Sequence, residues 1–142
     1  MSKEAIRSFE DFCIEHNLRI TPPRLNAYRI VYEATKPITA YEVLEELGKT
    51  TKSPKPPTAY RALDFLSEHG FIHRIESLNA YVSCHEQHQH RGSQFMICDT
   101  CGHVEEIHLC SLPETLEKKV KSEKFNMKYW NVEIHGQCTD CK

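Results

Sequence analysis

The segment Cys98-Asp-Thr-Cys101, followed later in the chain by Cys138-Thr-Asp-Cys141, decides how the second half of this sequence folds. Each Cys-x-x-Cys loop places two sulfur atoms on one edge of a tetrahedron, so two such loops together suit a zinc ion. The alternative is a pair of redox dithiols or disulfides, but neither loop has the surroundings of a thioredoxin-like βαβ unit. We therefore predict a structural zinc site formed by Cys98, Cys101, Cys138 and Cys141.

Composition is that of a small soluble protein in a reducing compartment. The 142 residues are 39% hydrophobic and 27% charged, which is ordinary for one or two small domains. The first residues are charged and no long apolar run follows, so we expect neither a signal peptide nor a membrane span. Seven cysteines without an export signal indicate the cytoplasm, where thiols bind metal more often than they pair. The net charge is −2, but Lys and Arg narrowly outnumber Asp and Glu over residues 1–75, which allows a modest basic surface there.

The first half of the sequence carries the start and stop signals of four helices and a hairpin. The helices are expected over residues 2–16, from Thr21 to about Ala34, from the capping box Thr39-Ala-Tyr-Glu42 to Gly48, and over about 58–69. Two strands, 71–75 and 80–84, follow with a polar turn between them. Short helices before a hairpin predict a winged helix-turn-helix domain whose last helix enters the DNA major groove.

The fourth helix presents a polar face with Tyr60 and Arg61, away from the apolar stripe that includes Leu63 and Leu66. Arg61 lies near the N-terminal end of this helix, where it is placed to reach a guanine edge or a phosphate. The alternative is an ordinary solvated helix face, and periodicity alone does not decide between the two.

The second half predicts a smaller unit. Residues 85–94 are polar and indicate a hinge, 95–98 and 104–107 predict a hairpin around the first Cys-x-x-Cys loop, a helix begins near Ser111, and 128–135 predict a strand. About 50 residues make a poor independent core, so zinc and a second copy of the chain are both expected to stabilise this unit. The predicted fold is α+β. It has an N-terminal winged helix-turn-helix domain (1–83), a hinge with metal ligands (84–94), and a small C-terminal α/β dimerisation domain with the four-cysteine zinc site (95–142).

The sequence resembles the ferric uptake regulator superfamily, and most closely its zinc uptake regulator branch. The resemblance covers nearly the whole chain and is carried by Thr21-Pro-Pro-Arg24, Ala40-Tyr41, Pro57-Thr-Ala-Tyr-Arg-Ala-Leu-Asp-Phe-Leu66, Cys98-x-x-Cys101-Gly-x-Val-x-Glu106 and His135-Gly-x-Cys-x-x-Cys141. It implies a homodimer that binds double-stranded DNA, with Thr21, Arg24, Tyr41, Tyr60 and Arg61 at the DNA.

The resemblance also implies a second, regulatory zinc site formed by His73, Cys84, His90 and Glu106, and hence two zinc ions per subunit. Iron-sensing relatives carry a His-His-x-Asp-His run before the first Cys-x-x-Cys loop, whereas this chain has His85-Glu-Gln-His-Gln-His90, without aspartate. Cys84 would supply a soft thiolate, which favours zinc over metals that prefer hard ligands.

Each regulatory ligand has an alternative. His73 could be a hydrogen-bonded wing residue, and Cys84 a small buried hydrophobe. His88 competes with His90, because the spacing from Cys84 to Cys98 is one residue shorter than in relatives. Glu105 points to the opposite strand face from Glu106, so only one of them can join the site. We expect no metal role for the other candidates, which are Cys13, Cys110, His16 and His108, and no further metal site at the last strand, where this chain has Tyr129-Trp130.

These inferences predict a zinc-responsive transcriptional repressor rather than an enzyme. It would bind a near-palindromic operator as a dimer when zinc occupies the regulatory site and would control zinc uptake genes, with neither a membrane nor a small-molecule substrate as partner. An iron- or peroxide-sensing regulator of the same superfamily is the alternative. A zinc deaminase would need a Pro-Cys-x-x-Cys signature, but the residue before Cys98 is Ile97. A zinc-carrying protein without a DNA role would leave the Tyr60-Arg61 helix unexplained.

Overall fold

The computed structural model describes residues 2–50, 52, 54–84, 94–107 and 111–142. The chain divides into two compact units, Met1–Gln87 and His88–Lys142. The predicted hinge over 84–94 lies almost entirely outside the described residues, so the predicted domain limits stay predictions. None of the helices in the described part of the chain combines the length and the apolar character needed to span a membrane.

The first unit contains four helices and a three-stranded antiparallel sheet. Its elements are α1 (Ser2–Glu15), α2 (Pro22–Glu33), β1 (Ile38–Thr39), α3 (Ala40–Leu47), α4 (Pro56–Glu68), β2 (Ile72–Ile75) and β3 (Ala80–Ser83). The strand order is β1-β3-β2, and β2 and β3 form the hairpin that the sequence predicts as a wing.

Capping hydrogen bonds explain where two of these helices begin, and a proline explains the start of a third. Thr21 accepts a hydrogen bond from the backbone N–H of Arg24 at 3.4 Å and caps α2. Thr39 and Glu42 each bond the other's backbone N–H at 3.2 Å, which confirms the predicted capping box of α3. Helix α4 begins at Pro56, earlier than predicted, because proline in the first helical turn costs no hydrogen bond.

An aromatic core holds the helices of the first unit against the wing. The ring of Phe9 lies 5.3 Å from that of Tyr28 and 5.0 Å from that of Phe71. Helix α4 contributes five buried side chains to this unit, which are Ala59, Ala62, Leu63, Phe65 and Leu66. Because these residues share one stripe, the rest of the α4 surface faces solvent.

The second unit is a three-stranded sheet with one helix. Its elements are β4 (Gln94–Cys98), β5 (Val104–Glu106), α5 (Glu114–Ser122), β6 (Val132–Gly136) and a 3₁₀ turn (Thr139–Cys141). Strand β4 is central, antiparallel to β5 and parallel to β6. Both α5 and β6 begin a few residues later than predicted. Pro113 provides the N-cap of α5, and strand pairing with β4 starts only at Val132.

Candidate metal centres and nucleic-acid interface

The four cysteines of the two Cys-x-x-Cys loops come together at one end of the sheet in the second unit. Their sulfur atoms all lie within 4.8 Å of one another, and the sulfurs of Cys101 and Cys138 are 3.7 Å apart. The parallel pairing of β4 and β6 brings the loops together, since Cys98 is in register with Gly136. The turn of the first loop is closed by Gly102, whose φ of 78° favours glycine.

Backbone hydrogen bonds prepare one of these sulfurs for ionisation. The N–H groups of Cys101 and Cys138 donate to the sulfur of Cys98 at 3.5 Å and 3.4 Å. These bonds, with that of Cys101 the larger influence, lower the pKa of the Cys98 thiol to about 6. At Cys141, hydrogen bonding with the sulfur of Cys138, and then with those of Cys98 and Cys101, raises the thiol pKa to about 12.

The four thiols fit a zinc ion. All four are free cysteines, so the described structure has no disulfide among them. A tetrahedron with zinc–sulfur distances of about 2.3 Å has sulfur–sulfur edges of about 3.8 Å, close to the 3.7 Å between Cys101 and Cys138. The four groups resist ionising together because their charges repel, and a divalent cation among them removes that obstacle.

A histidine and a cysteine on the wing of the first unit are also potential metal ligands. His73 pairs with Val82 across the β2–β3 ladder, and the N–H of Cys84 donates to the carbonyl of Phe71 at 3.0 Å. His73 and Cys84 are therefore diagonal neighbours on one face of the hairpin. A ring nitrogen of His73 and the sulfur of Cys84 lie within 4.8 Å, and the two residues are only 9% and 8% exposed. The pair can bind a metal ion, and as a histidine–thiolate pair it suits zinc.

The structure describes one of the two other predicted regulatory ligands. In the second unit, Glu106 pairs with buried Phe95, and Glu105 pairs with the more exposed Met96. Glu106 thus shares the more buried side of the β4–β5 ladder, and Glu105 faces the other way, as predicted from strand alternation. His90 and its competitor His88 lie outside the described residues, as do Cys110 and His108.

Helix α4 exposes the residues expected at DNA. Tyr60 is 54% exposed, and Arg61 and Asp64 also face solvent beside it. Tyr41, near the start of α3, is 68% exposed. An exposed arginine and two exposed tyrosines on neighbouring helices are side chains that can read base edges and contact phosphates.

The two remaining residues predicted at DNA make contacts within the chain. The hydroxyl of Thr21 caps α2, and the guanidinium of Arg24 lies 3.8 Å from the centre of the Phe65 ring. Arg24 also donates to the carbonyl of Arg19 at 2.7 Å. Both residues therefore fix the position of α2, and Arg24 connects it directly to α4.

Comparison with known proteins identifies the family. The model of the ferric uptake regulator family matches residues 15–135. The chain belongs to the ferric uptake regulator family. It is 37% identical to the zinc uptake regulation protein of Escherichia coli strain K12 over 142 residues, which are 99% of this chain and 82% of that protein.

Two solved structures are also similar to this member of the family. A zinc uptake regulator in complex with zinc and DNA has a TM-score of 0.91 at 37% identity, covering 99% of this chain and 95% of that one. Holo XcZur has a TM-score of 0.87 at 38% identity, covering 99% and 98%. These comparisons favour the zinc branch that the sequence motifs indicate.

The structure also reveals residues that sequence analysis gave no role. Tyr28 of α2 lies near Cys84, and burial, followed by the influence of Tyr32 and Cys84, raises the pKa of its hydroxyl to about 12. His135 is the first residue of the motif His135-Gly-x-Cys-x-x-Cys141, and its ring contacts Asp99 of the first Cys-x-x-Cys loop. The only sequence signal for His135 was its position in that motif, because its partners depend on the pairing of β4 with β6.

Proposed function

We propose that the chain is a zinc-responsive transcriptional repressor that binds a near-palindromic operator as a homodimer and controls zinc uptake genes. The observation that carries this proposal is the coexistence of a four-thiol cluster and an exposed Tyr60-Arg61 face in a chain that is similar, over nearly its whole length, to a zinc uptake regulation protein. A repressor of chromosomal operators acts in the cytoplasm, as the cysteine content also suggests.

Two zinc ions per subunit are proposed, with different tasks. Cys98, Cys101, Cys138 and Cys141 would hold one zinc permanently, since a four-thiolate site is closed and tight. His73, Cys84, His90 and Glu106 would hold the second, exchangeable zinc. The proximity and burial of His73 and Cys84 support that set, and its other two members rest on the family resemblance.

The regulatory switch follows from the ligands that the chain provides. The Cys84 thiolate and the Glu106 carboxylate would match the two positive charges that a zinc ion supplies when bound, so local charge would change little. The response is therefore geometric. His73 and Cys84 lie on the wing of the DNA-binding unit, whereas His90 and Glu106 follow it in sequence, so joint ligation restricts the segment between them. We propose that this restriction sets the two recognition helices of the dimer about 34–36 Å apart, matching successive major grooves.

Apolar side chains on the second unit support a dimer. Met96 and Ile134 are register partners on β4 and β6 and are 41% and 51% exposed. Three more large apolar residues of this unit are exposed, namely Leu116, Phe125 and Tyr129. So much exposed apolar surface on a small unit fits burial against a second copy.

The DNA interface is proposed to centre on α4. Tyr60 and Arg61 would contact base edges in the DNA major groove, and Tyr41 on α3 would contact the DNA phosphate backbone. Thr21 and Arg24 would act on DNA binding through the position of α2, as their intrachain contacts suggest. By linkage, operator DNA should tighten zinc binding at the regulatory site by the same factor by which zinc tightens DNA binding.

The deciding experiment measures metal content and operator affinity on the same preparation. Duplexes selected from a random library in the presence of zinc serve as operator. We expect two zinc ions per chain, one of them removable by mild chelation, and loss of specific DNA binding with that ion. Restoration by ferrous iron but not by zinc, or loss of binding on peroxide treatment alone, would instead support the iron- or peroxide-sensing alternative.

A further inference from the structure

His135 stands between two carboxylates on the strand that leads into the second Cys-x-x-Cys loop. Its Nδ1 lies 3.0 Å from a carboxylate oxygen of Asp99, and its Nε2 lies 3.3 Å from a carboxylate oxygen of Glu133. Only an imidazolium can donate at both nitrogens. Consistent with that geometry, the hydrogen bond to Asp99, and then that to Glu133, raise the pKa of His135 above its ordinary value.

The contact with Asp99 matters because Asp99 belongs to the first Cys-x-x-Cys loop. The regular pairing of β4 with β6 ends at Cys98 and Gly136, so the loops beyond it need other contacts to hold them in register. The N–H of Asp99 donates to the carbonyl of Gly136 at 2.8 Å, and the amide of Gln137 donates to the hydroxyl of Thr100 at 3.3 Å. The His135–Asp99 bond joins this set and is the member with charge on both partners.

We propose that His135 is a positioning residue of the four-cysteine site, which ties the first Cys-x-x-Cys loop to the strand that carries the second. The proposal rests on the structural zinc site proposed above. It follows from a difference among the four sulfur atoms in their burial and in the backbone hydrogen bonds that they accept. Cys98 is buried and receives two N–H bonds, whereas Cys101 is exposed and Cys141 only half-buried. The more exposed sulfurs, those of Cys101 and Cys141, belong to the two loops that the contact between His135 and Asp99 joins.

The charges of the site favour the same role. Zn²⁺ with four thiolates leaves two net negative charges, and Asp99 and Glu133 add two more nearby. The imidazolium of His135 offsets one of them. The three side chains do not form a metal site of their own, because each carboxylate faces a different ring nitrogen and the groups do not converge on one point.

The test measures zinc release from the zinc-loaded full-length chain to an excess of a chromogenic chelator. Mutation of groups that orient metal ligands commonly weakens metal binding about 10- to 100-fold. We expect His135→Ala to accelerate release of the tightly held zinc by about that factor, and Asp99→Asn, which keeps an acceptor but loses the charge, to have a smaller effect. The matched control is Lys119→Ala, which removes an exposed ion pair with Glu123 in the same unit and should release zinc like the parent.

A spectroscopic measurement separates positioning from general destabilisation. In the Co²⁺-substituted protein, His135→Ala should shift the d–d bands while keeping four-thiolate intensity, which loss of stability elsewhere would not do. Unchanged release and an unchanged Co²⁺ spectrum in a zinc-replete His135→Ala protein would overturn the proposal for His135 alone. If that variant does not fold, parent-like release from Asp99→Asn overturns it. A parent chain that holds no tightly bound zinc would overturn the four-cysteine assignment itself.

Discussion

The guanidinium of Arg24, at the start of α2, lies 3.8 Å from the centre of the Phe65 ring on α4. Phe65 belongs to the buried stripe of α4. The contact with Arg24 therefore helps to fix the orientation of α4, and with it the direction of the exposed face that carries Tyr60 and Arg61. A lysine cannot reproduce the stacking of a planar guanidinium on an aromatic ring, because its charge is compact and strongly hydrated.

We therefore expect both Arg24→Lys and Arg24→Gln to weaken specific operator binding. Arg24→Gln, which also removes the charge, should leave unchanged how steeply binding falls with salt. Losing one phosphate contact would instead reduce the salt slope by about one. Affinity for a selected operator and for a scrambled duplex, each measured at several salt concentrations, distinguishes these outcomes. A reduced slope for Arg24→Gln, with equal losses on both duplexes, would show that Arg24 contacts DNA directly.

Arg61→Ala tests α4 as the reader of DNA sequence. Arg61 is exposed near the N-terminal end of α4, and we expect its loss to cost about 1–3 kcal/mol of operator binding if it contacts a guanine edge. Preference at one base position per half-site should relax at the same time. Lys118→Ala on α5, which removes the same charge from an exposed pair, is the control. Parent-like affinity of Arg61→Ala on both operator and scrambled duplexes would exclude α4 as the reader.

The sequence predicted local features better than those that depend on pairing between distant residues. The capping box of Thr39 and Glu42 is encoded within four positions, so the start of α3 was predictable. Strand β1 was missed because Ile38–Thr39 is too short to show a period. The meeting of the two Cys-x-x-Cys loops could be predicted from the sequence, since each pair of cysteines is local.

The contacts around the predicted sites could not be predicted in the same way. His135 meets Asp99 only because β4 and β6 run parallel, with Ile97 in register with His135. Arg24 carries a family motif that suggested a DNA contact, and its stacking on Phe65 depends on how α2 packs against α4. Both contacts join residues that are far apart in the sequence, so no motif or regular spacing in a single sequence predicts them.

Removing a thiol of the proposed four-cysteine zinc site should disrupt the second unit. We expect Cys98→Ser to lose the tightly bound zinc and the dimer, because the small core of this unit cannot replace the metal. Cys13→Ala is the control, since Cys13 is buried in the core of the first unit and its loss should lower stability while leaving zinc bound. Metal analysis and size-exclusion chromatography measure both properties. A zinc-replete dimeric Cys98→Ser protein would refute the assignment.

The ion pairs of His135 should make stability depend on pH in one direction. Folding raises the pKa of His135, through Asp99 and then Glu133, so the charged imidazole favours the folded state. This contribution is fully present below the ordinary pKa of 6.5 and is lost as pH rises through the raised value. Urea unfolding of the zinc-loaded parent and of His135→Gln, compared from mildly acidic to mildly alkaline pH, should give curves that converge at alkaline pH. A stability difference that grows with pH would contradict this assignment.

The proposed regulatory site gives the most specific prediction, because one of its proposed ligands can be removed without touching the four cysteines. His90→Ala should leave a folded dimer with one zinc per chain but abolish zinc-stimulated operator binding, since His90 follows the wing that carries His73 and Cys84. His88→Ala is the matched variant, two positions earlier in the same polar segment, and should respond to zinc like the parent. Zinc stoichiometry and zinc-dependent operator affinity are measured on both. If His88→Ala loses the response and His90→Ala keeps it, His88 is the ligand and the switch stands. If both keep it, neither histidine is needed and this ligand set is wrong.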